Sequence, residues 1–339
     1  MDRVKIDEID AEILRTLLQE SRTSFTDLAK KCGITVAAVR MRYKRLRKEG
    51  VINGEKMLVN PHCLGYRHIV DLGIVNAIED QEEVAKFLES KPISELVGPV
   101  GIYNFYGKVV LSDLKKLHEI IEEFESFIKI KHVDAFIWAE AVNIEYPENL
   151  VIKPLGRENK QRNKKAATLT NQEQPICDID DTDRQIAKII SENSRTPFKT
   201  IASELGLSAK TIIQRYKKLR ENLLPVSTVT LDLRKLGFKA LASIYIKVSN
   251  RSKMQEIYAQ LLDIPNMIVI IRLIGNYDLY CALVVEDFQA LFEAEEKIRR
   301  ISGVASATIY LVPVPPSWPL SLFPKLLEGD TVQPKYWVK

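Results

Sequence analysis

Residues 21–47 read SRTSFTDLAKKCGITVAAVRMRYKRLR, and residues 194–220 read SRTPFKTIASELGLSAKTIIQRYKKLR. At a constant offset of 173, 11 of the 27 positions are identical, among them Ser-Arg-Thr, Phe25 with Phe198, Gly33 with Gly206, and Arg-Tyr-Lys with the Leu and Arg that follow. Stacking repeats have periods of roughly 20 to 50 residues, so a period this long makes each copy a complete folding unit. The chain is therefore read as two similar halves.

Both copies encode the same helices. Ile9, Ile13, Leu17 and Leu18 fall at helical spacing behind the acids of DEID, which suit the positive end of a helix dipole. Ser24 is placed to cap a short second helix, FTDLAKKC, and Gly33 to turn the chain out of it. Thr35 caps a third helix that Gly50 closes. In that helix Val36, Val39, Tyr43 and Leu46 form one apolar stripe, while Arg40, Arg42, Lys44, Arg45, Arg47 and Lys48 project elsewhere with no acid before Glu49. Copy two has Ser208 as cap, Ile212, Tyr216 and Leu219 inward, and Lys210, Arg215, Lys217, Lys218 and Arg220 outward. A charged helix face is ordinarily just solvated surface. Here like charges repel across the helix unless a polyanion neutralises them, and the order of helices is that of a helix-turn-helix whose third helix enters a DNA major groove. The following segments, VINGEKMLVN and LPVSTVTLD, read as short strands able to form a wing beside the DNA.

The remainder of each half alternates strand and helix in the order βαββαβ, over residues 66–146 and again over 238–312. The expected fold class is α+β: two winged helix-turn-helix domains (1–62 and 177–234), each followed by a ferredoxin-like domain (63–150 and 235–314). A polar, basic linker spans 151–176 and a Pro- and aromatic-rich tail 315–339. The linker's r.m.s. span of roughly 25 to 30 Å permits either intramolecular or swapped pairing of the halves. The tail's prolines oppose regular structure, yet Trp318, Phe323, Tyr336 and Trp337 are too apolar to leave in water, so the tail is expected to pack on a surface.

The pattern Asp7-x-x-Asp10-x-x-Ile13-Leu14, then SRTSFTDLAKKCGIT and RYKRLRKEGVI, then a G-x-Y-D-like turn inside a βαββαβ domain, resembles the Lrp/AsnC (feast/famine) family of transcription regulators. The resemblance covers about 290 residues and occurs twice, where the family usually has one copy, so the chain resembles a covalent version of the family's dimer. It implies double-stranded DNA as partner, an intramolecular pseudo-dimer or homo-oligomer, and sensing of a small effector, often an amino acid.

The two reading faces differ. Ala37, Ala38, Arg40 and Met41 correspond to Lys210, Thr211, Ile213 and Gln214, whereas Arg42, Lys44 and Arg47 match Arg215, Lys217 and Arg220. Phosphate contacts position a protein and base contacts specify sequence, so the shared cations suit backbone anchoring and the differing residues suit unlike half-sites. By the usual bidentate geometries Arg40 reaches guanine and Gln214 adenine. The candidate DNA-binding set is Thr35, Arg40, Arg42, Lys44, Arg45, Arg47, Ser208, Lys210, Thr211, Gln214, Arg215, Lys217 and Lys218. The candidate effector turns are GIYNFYG (Gly101, Tyr103, Asn104) and GNYDLYC (Gly275, Tyr277, Asp278). Asp278 carries a carboxylate for an amino group where Asn104 has no charge, although both segments also read simply as tight turns between strands.

Composition sets the remaining bounds. With 46% hydrophobic and 28% charged residues and no apolar run near the ~18 residues needed to span a bilayer, a membrane protein is not expected. The acidic N-terminus argues against export, which leaves the cytoplasm. Net charge is only +4, so DNA affinity must come from where the cations sit. Cys32, Cys63, Cys177 and Cys281 lie far apart and are expected to be reduced. No metal or cofactor motif and no catalytic constellation stands out. All four histidines (His62, His68, His118, His132) fall in the first half, which bears on one rival: a chain of this length also resembles tetrapyrrole (siroheme-type) decarboxylases built from two Lrp-like halves. Two retained basic helices favour the regulator.

Overall fold

The computed structural model describes residues 3–139, 144–152 and 176–328. Most of the linker and residues 329–339, with Tyr336 and Trp337, lie outside them. The first half comprises α1 (Glu8–Gln19), α2 (Phe25–Cys32), α3 (Val36–Lys48), β1 (Ile52–Leu58), β2 (His68–Asn76), α4 (Gln81–Glu89), β3 (Glu95–Val97), β4 (Phe105–Leu111), α5 (Lys115–Ser126) and β5 (Ile130–Trp138). The second repeats the order with α6 (Asp181–Glu192), α7 (Phe198–Leu205), α8 (Ala209–Asn222), β6 (Val226–Leu231), β7 (Ala240–Val248), α9 (Met254–Leu262), β8 (Met267–Ile274), β9 (Leu279–Val285), α10 (Phe288–Arg299) and β10 (Val304–Val312).

The helix ends follow the capping chemistry of the sequence. Asp7 and Asp10 form a reciprocal capping box at the start of α1, and Asp180 with Asp183 repeats it on α6. The Thr35 and Ser208 side chains accept from the Ala38 and Thr211 backbone N–H groups, each at 3.1 Å. Ile13, Leu14, Leu17 and Leu18 are sealed in one core with Val39 and Leu46, each such side chain worth about 1.5 to 3 kcal/mol of burial.

The strands that follow the helix-turn-helix units pair with each other rather than each forming a wing hairpin of its own. β1 and β6 make a two-stranded antiparallel ribbon, Glu55 opposite Val229 and Leu58 opposite Val226. Joining the two segments satisfies backbone groups that two isolated short strands would leave bare. The exchange is symmetric: Asn60 N donates to Leu223 O at 2.8 Å and Asp232 N to Val51 O at 3.0 Å. The core of the first unit accordingly contains Val229, Leu231, Phe238 and Leu241 of the second half, and the core of the second unit contains Met57, Val59, Cys63 and Ile69 of the first.

The repeat's Ser-Arg-Thr marks the centre of this pseudo-dimer. Ser21 Oγ and Ser194 Oγ, equivalent positions, lie 2.6 Å apart. Arg22 donates to the Ser194 and Thr196 carbonyls and lies over the Phe198 and Tyr216 rings, while Arg195 donates to the Ser21 and Thr23 carbonyls and lies over Phe25 and Tyr43. Each guanidinium thus fastens one reading unit onto the aromatic pair of the other.

The eight remaining strands form one sheet in the order β10-β7-β9-β8-β5-β2-β4-β3, two ferredoxin-like four-strand sheets joined through Ile137↔Ile274 and Trp138↔Leu273. β3 has three residues, shorter than the apolar stretch ISELVGPV indicates, because the chain leaves the edge at Pro99. Five strand spacings separate β7 from β4 along the sheet, about 24 Å if it were flat. Yet Tyr106 of β4 hydrogen-bonds with Tyr245 of β7, so the sheet closes on itself and its two halves face each other. Tyr103, Tyr106, Phe136, Tyr245, Tyr277, Tyr280 and Tyr310 fill the space between, with neighbouring ring centroids 5.1 to 6.2 Å apart. The halves therefore pair within one chain.

Two further findings depart from or extend the sequence reading. Cys63 and Cys177 are joined in a disulfide, with Cα atoms 4.7 Å apart, rather than reduced. A sequence separation of 114 hid an adjacency created when the second unit packs on the first half, where Cys177 N also donates to Cys63 O at 2.9 Å. The described part of the tail packs as expected: Trp318 is buried and bridges Leu231 in both directions, and Phe323, Leu326 and Leu327 join the core of the second unit.

Candidate nucleic-acid interface

Helices α3 and α8 each turn one side to α1 or α6 and the opposite side to solvent. The inward side explains how so many cations coexist. Arg42 Nη1 pairs with Asp7 at 2.6 Å and Asp10 at 2.9 Å, and Arg45 reaches Asp10 at 2.5 Å. In the second unit Arg215 pairs with Asp180 at 2.7 Å and Asp183 at 2.8 Å, and Lys218 lies 3.9 Å from Asp183. Asp10 and Asp183 are almost fully buried. The capping boxes thus do two jobs, starting the first helix and anchoring the third. Against the cost of its partial burial, the Asp10 N–H and the Arg42 guanidinium hold the Asp7 carboxyl below its ordinary range, and the Asp183 N–H and Arg215 do the same for Asp180.

Arg47 pairs with Glu55 of β1, which also accepts from Tyr43 OH. Its counterpart Arg220 instead reaches Glu20 of the first unit at 2.9 Å and the Leu224 and Pro225 carbonyls. The expectation that repulsion among these cations calls for DNA is thereby corrected. Acids of α1, α6 and β1, remote in sequence, neutralise Arg42, Arg45, Arg47 and Arg215 within the protein.

The outward side is a continuous stripe at i, i+3, i+4, i+7 and i+11. On α3 it reads Ala37, Arg40, Met41, Lys44 and Lys48, all exposed; on α8 it reads Lys210, Ile213, Gln214, Lys217 and Glu221, all exposed. Among the described residues Arg40, Lys44, Lys48, Lys210 and Lys217 make no ion pair, Arg40 lying 5.9 Å from the Phe25 ring. Thr35 is exposed at its N-cap, as is Ser208, whose hydroxyl also meets Thr211 Oγ1 at 2.8 Å. Lys48 and Met41, read from the sequence as outward-facing but not included in the candidate set, lie on the same stripe as Arg40 and Lys44.

The two G-x-Y turns come together at the far end of the closed sheet. Tyr103 OH donates to Asp134 Oδ2 at 2.8 Å, and Asn276 Nδ2, from the other half, donates to Asp134 Oδ1 at 2.8 Å. Phe136 lies between Tyr103 and Tyr277, with centroid separations of 6.0 and 6.1 Å. Gly101 has φ +63° and a Cβ there would fall 2.4 Å from the Tyr310 ring, while a Cβ on Gly275 would meet the Ala135 carbonyl at 2.8 Å. The polar residues of the turns are committed locally. Asn104 Oδ1 accepts from Asn76 N at 2.9 Å, and Asp278 accepts from Val248 N at 2.8 Å and pairs with Arg251 at 2.9 Å. Both therefore close the end of the neighbouring strand.

Three family models match the chain: a winged helix-turn-helix DNA-binding model at residues 6–53, an AsnC-type helix-turn-helix domain at 179–220 and an Lrp/AsnC ligand binding domain at 239–313. Regulatory protein AsnC of Haemophilus influenzae is 30% identical over 152 residues, which is 98% of that protein and 44% of this chain. The chain belongs to the Lrp/AsnC family. The HTH-type transcriptional regulator LrpA of Pyrococcus horikoshii is 38% identical over 117 residues, 83% of its length and 34% of this chain. Each relative thus spans less than half of this two-copy member of the family. At the level of the whole chain, the fold is similar to the crystal structure of the siroheme decarboxylase NirDL, with a TM-score of 0.61, 12% identity, and coverage of 95% of this chain and 98% of that one. At that identity the likeness is one of architecture. Among the described residues no helix is long and apolar enough to cross a membrane, and no cluster of three metal-ligating side chains occurs.

Proposed function

We propose that this Lrp/AsnC-family protein is a sequence-specific DNA-binding transcription regulator in which one chain presents two unlike reading helices to one operator. The observation that carries the proposal is the pair of solvent-facing stripes on α3 and α8, rich in cations without protein partners and set about the Ser21–Ser194 centre. Lys44, Lys48, Lys210 and Lys217 are assigned to phosphates, with Thr35, Ser208 and Thr211 at the helix N-termini, where backbone N–H groups also favour an anion. Arg40 is assigned to guanine and Gln214 to adenine. Arg42, Arg45, Arg47, Arg215 and Lys218 act as positioning residues that hold the reading helices on α1, α6 and β1.

A small effector, amino-acid-like by family likeness, is assigned to the meeting point of the two turns around Gly101, Tyr103, Gly275 and Tyr277, where it would bear on both halves of the closed sheet. Asn104 and Asp278 shape that site through the strand ends they hold. The whole-chain likeness to a siroheme decarboxylase supplies the second reading. A gel-shift with genomic fragments, beginning with the protein's own promoter, separates the two: retention of particular fragments over competitor DNA supports the regulator. Binding without preference, together with a Soret-type band in the purified protein, would transfer the protein to the decarboxylases.

A further inference from the structure

A cavity of about 90 Å³ lies where the end of β1, the start of β6, Ile144–Pro147 and the tail stretch Pro319–Phe323 meet. Its walls include Leu18, Leu58, Val59, Leu320 and Phe323, and among the described residues Glu145 is the one ionisable group that lines it. Glu145 Oε1 accepts from Leu320 N at 3.2 Å, whereas Oε2 is closed off from solvent and has no hydrogen-bond partner. Thr228, the other polar lining residue, is already satisfied, its hydroxyl donating to Val229 O at 3.0 Å. Ser321 Oγ and Trp318 Nε1, on the same tail stretch, are likewise buried without partners. A buried carboxylate oxygen facing apolar walls is costly, and native structures rarely keep one without a ligand, ion or water. Burial accordingly pushes the Glu145 carboxyl up to about 8.

We propose that this cavity is a binding site for a small aliphatic ammonium ion, its charged head on Glu145 Oε2 and its alkyl chain against the leucine, valine and phenylalanine walls. The cavity's size sets the ligand class. An engineered apolar cavity of about 150 Å³ takes benzene, so this one admits a chain of about four heavy atoms. Its chemistry narrows the class further: among the described residues no cation lines the cavity, so the carboxylate of an α-amino acid would enter without a counter-charge. The site is separate from the G-x-Y turns. It sits on the ribbon that joins the two reading units, held shut by the tail, and its binding is measured on the free protein, independently of any DNA result.

The test is calorimetric titration of the full chain with n-propylammonium, n-propanol and alanine. Saturable binding of n-propylammonium at one site per chain is expected, with n-propanol weaker by about tenfold or more because it brings no charge to Glu145, and alanine weaker by as much because its carboxylate would be buried without a counter-charge. Glu145→Gln, which keeps the shape but cannot give up a proton to meet the entering cation, is expected to lose the ammonium preference. Leu322→Trp fills the cavity while leaving Glu145 in place and is expected to abolish the titration, which keeps the proposal testable should the first variant fold poorly. Equal binding of the alcohol and the amine, an unchanged isotherm in either folded variant, or no saturable binding in the millimolar range overturns the proposal.

Discussion

Helices α3 and α8 turn matching residues inward, Tyr43 with Tyr216 and Leu46 with Leu219, yet of the five outward positions only Lys44 and Lys217 agree. Arg40 stands where the other has Ile213, Met41 where it has Gln214, Ala37 where it has Lys210, and Lys48 where it has Glu221. The positions that build the unit thus agree between the copies, while those that face solvent differ. A two-copy chain permits this, since each unit can change its face without altering the other. In a dimer of identical chains, any change on one reading helix appears on both.

The inward sides carry a quieter difference, and it supplies the prediction with the largest effect. Arg215→Ala leaves the buried Asp183 with Lys218, 3.9 Å away, as its one ion-pair partner among the described residues, whereas Arg42→Ala leaves the buried Asp10 with Arg45 at 2.5 Å. Because both arginines are partly exposed, the cost is less than that of breaking a fully buried pair, about 2 kcal/mol or more for Arg215→Ala and about half of that for Arg42→Ala. Hydrogen exchange of the amides in α6 and α8, compared with α1 and α3, reads each unit separately. Equal loss of protection in both variants would show that Arg45 and Lys218 are equivalent supports.

The outward sides supply the next predictions. Arg40→Ala and Gln214→Ala are each expected to lose roughly 1 to 3 kcal/mol on the preferred operator and little on unrelated DNA, relaxing preference at different positions. Competition binding with single-base operator variants measures this, and relaxation at the same positions by both variants would contradict the assignment. Lys44→Ala and Lys217→Ala bear on the position the helices share. Each is expected to weaken binding to all sequences alike and to flatten the log–log salt dependence by up to about 0.9. A variant that changes sequence preference without changing the salt slope would move its lysine from the phosphates to the bases.

What the sequence made legible was local and periodic. The helices, their Thr35 and Ser208 caps, the inward stripes and both βαββαβ orders depend on residues a few positions apart, and duplication stated each pattern twice. What it left hidden depends on residues far apart. Nothing local in INGEKML or VSTVTL says that each strand's partner is the other, some 170 residues away, and the Cys63–Cys177 adjacency follows only from that exchange. The cations of α3 looked unneutralised because Asp7 and Asp10 lie 32 to 35 residues back in the chain. Repetition offered a signal here as well: Asp-x-x-Asp and the first Arg of Arg-Tyr-Lys recur together in both halves at the same spacing, as a conserved ion-pair geometry requires. Arg22 and Arg195 recur in the same way, but that they lock the two units together is visible only once Phe198, Tyr216, Phe25 and Tyr43 are seen beneath them. Glu145 follows a strand and gave no sign in the sequence of the cavity it enters.

The divergence of the two outward faces is tested most directly by selecting preferred sites from a randomised DNA library. The selection is run with the wild-type chain and with one whose α8 stripe carries the α3 residues: Lys210→Ala, Ile213→Arg, Gln214→Met and Glu221→Lys. Because these positions are exposed and the anchoring pairs are untouched, both proteins are expected to fold alike. The wild-type chain is expected to select an operator with two unlike half-sites, and the exchanged chain a palindrome built from the half-site read by α3. A palindrome selected by the wild-type chain, or the same asymmetric site selected by both, would contradict the assignment of sequence reading to these two stripes.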